Sequence, residues 1–298
     1  MTTLRIATRR SALALAQAEE VAAMLSANAF RSEIVPMSTS GDEGAVASGS
    51  TSGMKGLWID RIVEALRAGE VDVAVHSAKD LPADDEDGIA IAAVPKRADP
   101  LDLLIGRLPK LQPGMVVGTS SLRRRAQLLA GFPGMAVTEI RGNVDTRLRK
   151  LSEGEVDGLV LAAAGVGRLG IEPPNARKLR MDEMIPAPGQ GCLAVQARED
   201  DRNTRAVLSV LDHAASRRAL EAERALTKLL GGGCDVPMGA FAATKGDRLR
   251  LVAVVAAPDG AKLVRSGVEG SDPEGVAAAL ARRLRDEGAD AILAELQG

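Results

Sequence analysis

The sequence predicts an α/β protein: two α/β domains with mostly parallel sheets, followed by a small C-terminal α+β domain. Short apolar runs alternate with helical segments through the first part of the 298-residue chain, and the alternation restarts after Pro100. From about residue 214 the pattern changes to a long helix, three strands and two helices. Repeated βαβ units give parallel sheets covered by helices. We predict three domains, covering residues 1–96 with 192–212, 97–191, and 213–298.

The first predicted domain begins with a strand at 4–8 and a helix at 11–27, which Ser11 is placed to cap. Residues 41–56 are rich in Gly and Ser and have no periodicity, which predicts a long loop of the kind that often serves function. The remaining predicted elements of this domain are a helix at 57–69 and strands at 32–38, 71–77, 89–95 and 192–198.

The second predicted domain combines four strands with two helices, and residues 173–191 are predicted to be irregular. Its strands are predicted at 101–106, 115–120, 135–140 and 156–164, and its helices at 121–130 and 143–153. The third domain is predicted to contain a helix from 214 to 230, a glycine-rich loop, strands at 239–245, 248–256 and 262–269, and two terminal helices.

Composition excludes several functional classes. The net charge of −2 gives no attraction to nucleic acids or anionic membranes, and an aromatic content of 1% leaves few rings for stacking on bases. We see no signal peptide and no apolar run near membrane-spanning length, so we predict a cytoplasmic protein. Cys192 and Cys234 are not expected to form a disulfide in a reducing cytosol. His76 and His213 lack ligand spacing to either cysteine, so no metal site is expected.

Three predicted strand-to-helix junctions carry arginine together with hydroxyl or amide side chains. They are the segments ATRRS (7–11), GTSSLRRR (118–125) and EIRGNVDTRLRK (139–150). The N-terminus of a helix offers unpaired N–H groups to an anion, and the arginine fork matches a carboxylate or phosphate. The recurrence predicts an anion-lined cleft at the carboxyl ends of the strands, where open α/β sheets bind ligands.

Three further segments contain candidate functional residues or motifs. VHSAKDLP (75–82) places Lys79 and Asp80 after a strand, either as a surface ion pair or with Asp80 as a buried carboxylate that stabilises developing positive charge. GVGRLG (165–170) has dinucleotide-binding spacing, but too little helix follows it, so we expect no such site. GGGCDVPMG (231–239) places Cys234 on a glycine-rich loop.

The motifs taken together resemble one family. RIATRRSALALAQA, KGLW, HSAKDLP, GTSSLRRRAQL, RGNVDTRLRKL, LAAAGVGRLG, PAPGQG and GGGCDVPMGAFA occur in the order found in porphobilinogen deaminases (hydroxymethylbilane synthases), from residue 4 to about 245. The resemblance implies a monomeric transferase of tetrapyrrole and heme biosynthesis. Such an enzyme joins four porphobilinogen molecules to a covalent dipyrromethane primer and releases hydroxymethylbilane by hydrolysis. It also implies that Cys234 carries the primer through a thioether.

The resemblance assigns roles residue by residue. Asp80 is the implied catalytic residue. The implied cofactor-binding residues, besides Cys234, are Lys79, Asp80, Thr119, Ser120, Ser121, Arg123, Arg124, Arg141 and Gly142. The implied substrate-binding residues are Arg9, Ser11, Lys55, Arg147, Arg168 and Gln190, with Lys55 on a lid formed by the long loop. Thr51 departs from the family, since many relatives have a second lysine there.

Two other functional classes remain open at this point. A non-catalytic anion-binding protein with two periplasmic-binding-protein-like α/β domains would share the predicted fold. It is disfavoured by the lack of an export signal or a helix-turn-helix segment, and it has no use for Cys234 in GGGCDVP. A thiol-dependent enzyme with Cys234 as nucleophile would need a nearby base, and neither histidine lies in a recognisable partner motif.

Overall fold

The computed structural model describes residues 3–37, 61–106, 110–231 and 236–296. The chain divides into two compact units. The first unit comprises Met1–Arg97 and Cys192–Arg217, and the second comprises Ala98–Gly191 and Arg218–Gly298. Each unit is built around its own five-stranded sheet, and the second also contains a three-stranded sheet. The predicted division of the chain into three domains stays a prediction.

The described strands and helices follow the predicted order. The strands are β1 (Leu4–Arg9), β2 (Ser32–Met37), β3 (Val73–Ser77), β4 (Ile89–Ala93), β5 (Asp102–Gly106), β6 (Val116–Gly118), β7 (Ala136–Thr138), β8 (Gly158–Ala162), β9 (Ala176–Lys178), β10 (Leu193–Arg198), β11 (Met238–Lys245), β12 (Arg248–Ala256) and β13 (Leu263–Gly270). The helices are α1 (Ala12–Ala27), α2 (described over 61–67), α3 (Leu122–Gly131), α4 (Val144–Ser152), α5 (Ala163–Arg168), α6 (Arg202–Leu208), α7 (Ala214–Leu229), α8 (Pro273–Asp286) and α9 (Ala289–Glu295).

The sheet of the first unit has the strand order β2-β1-β3-β10-β4. β1 pairs in parallel with β2 and β3, whereas β10 runs antiparallel to both β3 and β4. Because β10 is reversed, its first residue, Leu193, lies beside Ser77, the last residue of β3. The start of β10 therefore lies at the edge where β1 and β3 end, which we call the carboxyl edge. Ile6, Val73 and Val195 pack with α1 on one face.

The second unit's large sheet has the order β7-β6-β8-β5-β9 and repeats this plan. β6 pairs in parallel with β7 and β8, and the reversed strand β5 runs antiparallel to β8 and β9. The first residue of β5, Asp102, lies beside Ala162, the last residue of β8. The reversed strand again brings its starting residue to the carboxyl edge of its sheet. The mostly parallel α/β fold is confirmed, while the reversed strand in each sheet was not predicted.

The small sheet, β11-β12-β13, is antiparallel and packs with α7, α8 and α9 around a core of aliphatic side chains. It contacts the rest of the second unit closely at Gly239. A Cβ atom at Gly239 would lie 2.6 Å from the carbonyl oxygen of Ile185, and the amide of Ala240 donates to Pro186 O at 2.9 Å. The buried carboxylate of Glu223 accepts from the amides of Gly189 (2.6 Å) and Ala242 (2.7 Å).

Three elements, β9, α5 and α6, were not predicted, and the structure also shows how the segment GVGRLG folds. β9 lies within residues 173–191, which the sequence predicted to be irregular, and α6 had no prediction. β9 has only three residues, and it is held by pairing with β5 some 70 positions earlier (Leu103 beside Lys178), so local periodicity could not indicate it. Gly165 and Gly167 lie inside α5, which shows that GVGRLG forms a helix rather than a dinucleotide-binding turn.

Candidate active site

The junction between β6 and α3 is closely packed on one side and open on the other. A Cβ atom at Gly118 would lie 2.9 Å from Leu159 Cδ2 and 3.0 Å from Ile140 Cγ2, so a larger residue would crowd these buried side chains. Ser121 caps α3, with its Oγ accepting from the amide of Arg124, and its own amide donates to Thr119 Oγ1 at 3.2 Å. Thr119 is buried, whereas Ser120 is exposed. The junction is thus a strand end followed by a capped helix start, at the place where the sequence predicted a strand-to-helix junction.

A buried cluster of charged side chains lies behind this junction. Arg123 Nη1 donates to Asp102 Oδ2 at 2.8 Å, and Arg124 donates to Asp102 Oδ1 through Nε at 3.0 Å and Nη2 at 2.7 Å. Gln190 Nε2 donates to the same Oδ1 at 3.1 Å. Burial raises the pKa of Asp102, but the charges and hydrogen bonds of the two arginines outweigh it and lower the pKa to about 2. The cluster therefore carries two positive charges and one negative charge.

The two arginines of the cluster differ in the donors that they have left. Arg124 Nη1 donates to Val160 O at 3.0 Å, so each nitrogen of its guanidinium makes a hydrogen bond. Arg123 Nη1 is shared between Asp102 and Ile185 O (2.7 Å), and its buried Nε has no hydrogen-bond partner among the described residues. A buried donor without a partner is costly, which points to a ligand for Arg123.

Arg147 on α4 connects two of the predicted arginine-bearing segments, GTSSLRRR (118–125) and EIRGNVDTRLRK (139–150). Its Nε donates to Gly142 O at 2.8 Å and its Nη2 to Ser120 Oγ at 3.2 Å. Burial, followed by the charge of Arg124, lowers the pKa of Arg147. Gly142 has a φ of 118°, a conformation that favours glycine, and a Cβ atom there would lie 2.8 Å from the side chain of Thr146. The structure therefore brings Ser120, Gly142 and Arg147 together beside the buried cluster.

The three other predicted residues of the second unit lie in three different places. Arg141 is exposed and donates from Nε to Glu139 Oε1 at 2.6 Å. Arg168, at the end of α5, donates from Nη2 to Gly191 O at 3.3 Å. Gln190 is buried and belongs to the Asp102 cluster. Of the two predicted substrate-binding residues among these, Arg168 thus ends a helix and Gln190 lies in a turn before β10.

In the first unit, the predicted residues follow the ends of β1 and β3. Ser11 caps α1, since its Oγ accepts from the amide of Ala14 at 3.3 Å. Lys79 and Asp80 lie on the short 3-10 turn Ala78–Asp80, whose first amide donates to Cys192 O at 3.0 Å. The start of the reversed strand β10 therefore anchors the turn. Asp80 lies past the strand end and is half-buried, between the exposed ion pair and the buried carboxylate that the sequence left as alternatives.

His76, near the end of β3, is a neighbour of this turn that the sequence analysis considered only as a metal ligand. Its side chain is buried, and Nε2 has no hydrogen-bond partner among the described residues. Burial lowers the pKa of His76 to about 4, with the Asp80 charge opposing this effect and the Arg9 charge adding to it. His76 is thus a neutral imidazole near the charged groups Arg9 and Asp80.

The stability of the protein is expected to fall as the pH is lowered from 6.5 to 4. The unfolded chain protonates His76 near its ordinary pKa of 6.5, whereas the folded chain does so only near 4, so protons favour unfolding in this window. The loss from this group amounts to about 3 kcal/mol by pH 4. Urea unfolding over this pH range measures it.

The variant His76→Gln should lack this component of the pH dependence, whereas His213→Gln should retain it because His76 is still present. Equal pH dependence in the wild type and His76→Gln would contradict the assignment.

Several predicted residues lie outside the part of the chain that the structure describes. They are Thr51, Lys55, the rest of the loop 41–56, and Cys234. Among the described residues, no group of three or more His, Cys, Asp or Glu side chains is arranged to hold a metal ion. No helix in the described ranges is long and apolar enough to cross a membrane.

The fold and these clusters define a class: an α/β protein whose strand ends carry arginines and hydroxyl groups, the donors that suit carboxylates and phosphates. Residues 4–206 match the family model "Porphobilinogen deaminase, dipyromethane cofactor binding domain", and residues 218–287 match "Porphobilinogen deaminase, C-terminal domain". The chain belongs to the porphobilinogen deaminase family.

Relatives with this name match over nearly their whole length. The porphobilinogen deaminase of Thiobacillus denitrificans is 44% identical over 98% of both chains, and that of a Roseiflexus species is 46% identical over 98% of this chain and 99% of its own. A periplasmic substrate-binding protein from Coxiella burnetii has a TM-score of 0.41 and 17% identity, covering 72% of this chain and 94% of its own. With so low a TM-score, this similarity adds nothing to the fold described above.

Proposed function

We propose that this chain is a transferase that deaminates porphobilinogen and joins four molecules head to tail on a covalent dipyrromethane primer. Hydrolysis then releases hydroxymethylbilane, a precursor of porphyrins. The observation that carries the proposal is the buried Asp102 cluster at the carboxyl edge of the sheet, in which the Nε of Arg123 has no hydrogen-bond partner in the described part of the chain. The family and the named relatives supply the reaction.

The residues of the second unit fit a ligand that carries carboxylates. Each pyrrole of the primer and of the substrate has an acetate and a propionate side chain. Arginine forks, hydroxyl groups and helix N-termini are the donors that bind such groups. The donors proposed for the primer in the second unit are Thr119, Ser120, Ser121, Arg123, Arg141 and Gly142, whereas Arg124, which the resemblance also assigned to the primer, has each guanidinium nitrogen bonded within the protein. Arg147, Arg168 and Gln190 are proposed to contact the substrate or the growing chain.

The residues of the first unit supply the catalytic carboxylate. When bound, the dipyrromethane supplies the pyrrole α-carbon to which the first substrate is joined. Each addition breaks the bond from the aminomethyl carbon to nitrogen, forms a bond from that carbon to the accepting pyrrole α-carbon, and releases ammonia, which takes up the hydrogen that the α-carbon loses. Asp80 is proposed to accept a hydrogen bond from the pyrrole N–H and to stabilise the positive charge that develops as ammonia leaves. Lys79 is proposed to bind the primer, and Arg9 and Ser11 the substrate.

Two proposed roles belong to residues outside the described ranges. Cys234 is proposed to hold the primer through a thioether, and Lys55 to contact the substrate from a lid. The alternative of a non-catalytic anion-binding protein is not favoured, because the matched relatives are porphobilinogen deaminases along their whole length. We further propose a cytoplasmic monomer that binds neither nucleic acid nor membranes, which the net charge of −2 supports.

Intact-mass analysis and a turnover assay test the proposal on the purified wild-type chain. The chain is expected to be heavier than its sequence by one dipyrromethane. With porphobilinogen it is expected to release four ammonia molecules for each hydroxymethylbilane. An active chain of unmodified mass would contradict the covalent primer, and a loaded chain that releases no ammonia would contradict the transferase activity.

A further inference from the structure

We propose that Asp102 is a positioning residue that neutralises Arg124 and orients Arg123, so that the buried cluster accepts a single carboxylate through Arg123. The inference rests on the proposed function, because the carboxylate would be one of those on the primer. It divides the work of two adjacent arginines that the sequence motif presents as equivalent. Arg124 would hold Asp102, and Arg123 would hold the ligand.

The hydrogen bonds of the cluster distinguish the two arginines. Arg124 directs Nε and Nη2 at one oxygen of Asp102 and Nη1 at Val160 O, so its guanidinium is fixed along both edges. Arg123 contacts the other Asp102 oxygen and Ile185 O through Nη1 alone. Its Nε, on the opposite side of the guanidinium, is buried and has no partner among the described residues. Of the two arginines, it is therefore Arg123 that keeps a buried donor which no described residue uses.

Two glutamine side chains hold the acceptors of Arg123 in place. Gln190 Nε2 donates to the Asp102 oxygen that Arg124 also uses. Gln127 Oε1 accepts from the amide of Ile185 at 2.7 Å, and Gln127 Nε2 donates to Ile185 O at 3.0 Å. These amides fix both acceptors of Arg123 Nη1, because Ile185 O and the carboxylate of Asp102 are each held by a glutamine. A guanidinium with two fixed acceptors presents its remaining donors in one orientation.

The charge balance gives Asp102 a second role. Two arginines and one carboxylate leave a single net positive charge in a buried place, since Asp102, Arg123 and Arg124 are each at least 94% buried. One ligand carboxylate would bring the site to neutrality, and burying a neutral set of paired charges costs far less than burying an excess charge. Without Asp102 the site would hold two unmatched cations, and Arg124 would lose the acceptor that keeps it away from the ligand.

Two double variants of equal charge test this division of labour. Asp102→Asn combined with Arg124→Met leaves Arg123, and Asp102→Asn combined with Arg123→Met leaves Arg124. Each removes one negative and one positive charge, so a merely structural role of Asp102 predicts the same result for both. Three properties are measured for both double variants, for Asp102→Asn alone and for the wild type. They are the fraction of purified chains that carry the dipyrromethane mass, the kcat and KM for porphobilinogen, and the urea unfolding midpoint.

We expect Asp102→Asn alone to lower the loaded fraction by roughly tenfold or more, the effect of losing one charge-assisted hydrogen bond. The double variant that keeps Arg123 should recover most of the wild-type loading, whereas the one that keeps Arg124 should stay as low as the single variant. Equal loading of the two double variants, a fully loaded Asp102→Asn, or failure of the Arg123-keeping variant to fold would overturn the inference. An unloaded and inactive wild type would instead overturn the proposed function.

Discussion

Replacing Cys234 by alanine is expected to give a chain whose intact mass equals that of its sequence and whose turnover of porphobilinogen is lost. The physical reason is that a thioether needs a sulfur, and the chain has only two cysteines. The other one, Cys192, is fully buried at the start of β10, where a thiol has little access to a reactive ligand. In the sequence, Gly231, Gly232 and Gly233 directly precede Cys234.

Cys192→Ala is the matched control for this prediction. It removes the same atom type, and it is expected to keep both the added mass and the turnover, at the cost of some packing energy. Intact-mass spectrometry and ammonia release are measured on both variants. Retention of the added mass in Cys234→Ala, or its loss in a folded Cys192→Ala, would place the thioether elsewhere.

Replacing Asp80 by asparagine is expected to keep the dipyrromethane mass and to lower kcat by about 100- to 1000-fold, the range seen when one preorganised electrostatic contact to a transition state is removed. Asparagine has nearly the shape of aspartate and can still accept a hydrogen bond, but it has no negative charge. The positive charge that develops as ammonia leaves would then lack its counter-charge. The KM should change much less than kcat, because the charge develops in the transition state.

Asp85→Asn provides the control, because it makes the same substitution at an exposed aspartate five positions further along the chain. Its kcat and KM are expected to match those of the wild type. Steady-state kinetics on chains with equal dipyrromethane loading separates the two variants. Full turnover by Asp80→Asn would refute the proposed role of this carboxylate.

The sequence determined the features that depend on neighbouring residues. Apolar periodicity indicated most strands and helices, and Ser11 was recognised as a helix cap because capping is a local hydrogen bond. The recurrence of arginine with Ser, Thr or Asn at strand ends predicted anion-binding junctions, and the order of the motifs indicated the family. These patterns each extend over a few residues, so the linear sequence displays them directly.

Only the tertiary structure decided which side chains meet at the carboxyl edges. The reversed strands β5 and β10 place Asp102 and the carbonyl of Cys192 beside the ends of strands that lie far away in the sequence. Strand direction depends on long-range pairing, and the alternation of helices and strands had predicted parallel neighbours. For that reason Asp102 was missed, and Arg123 and Arg124 looked equivalent. Their different partners arise from the fold, because each guanidinium takes the acceptors that the surrounding strands provide.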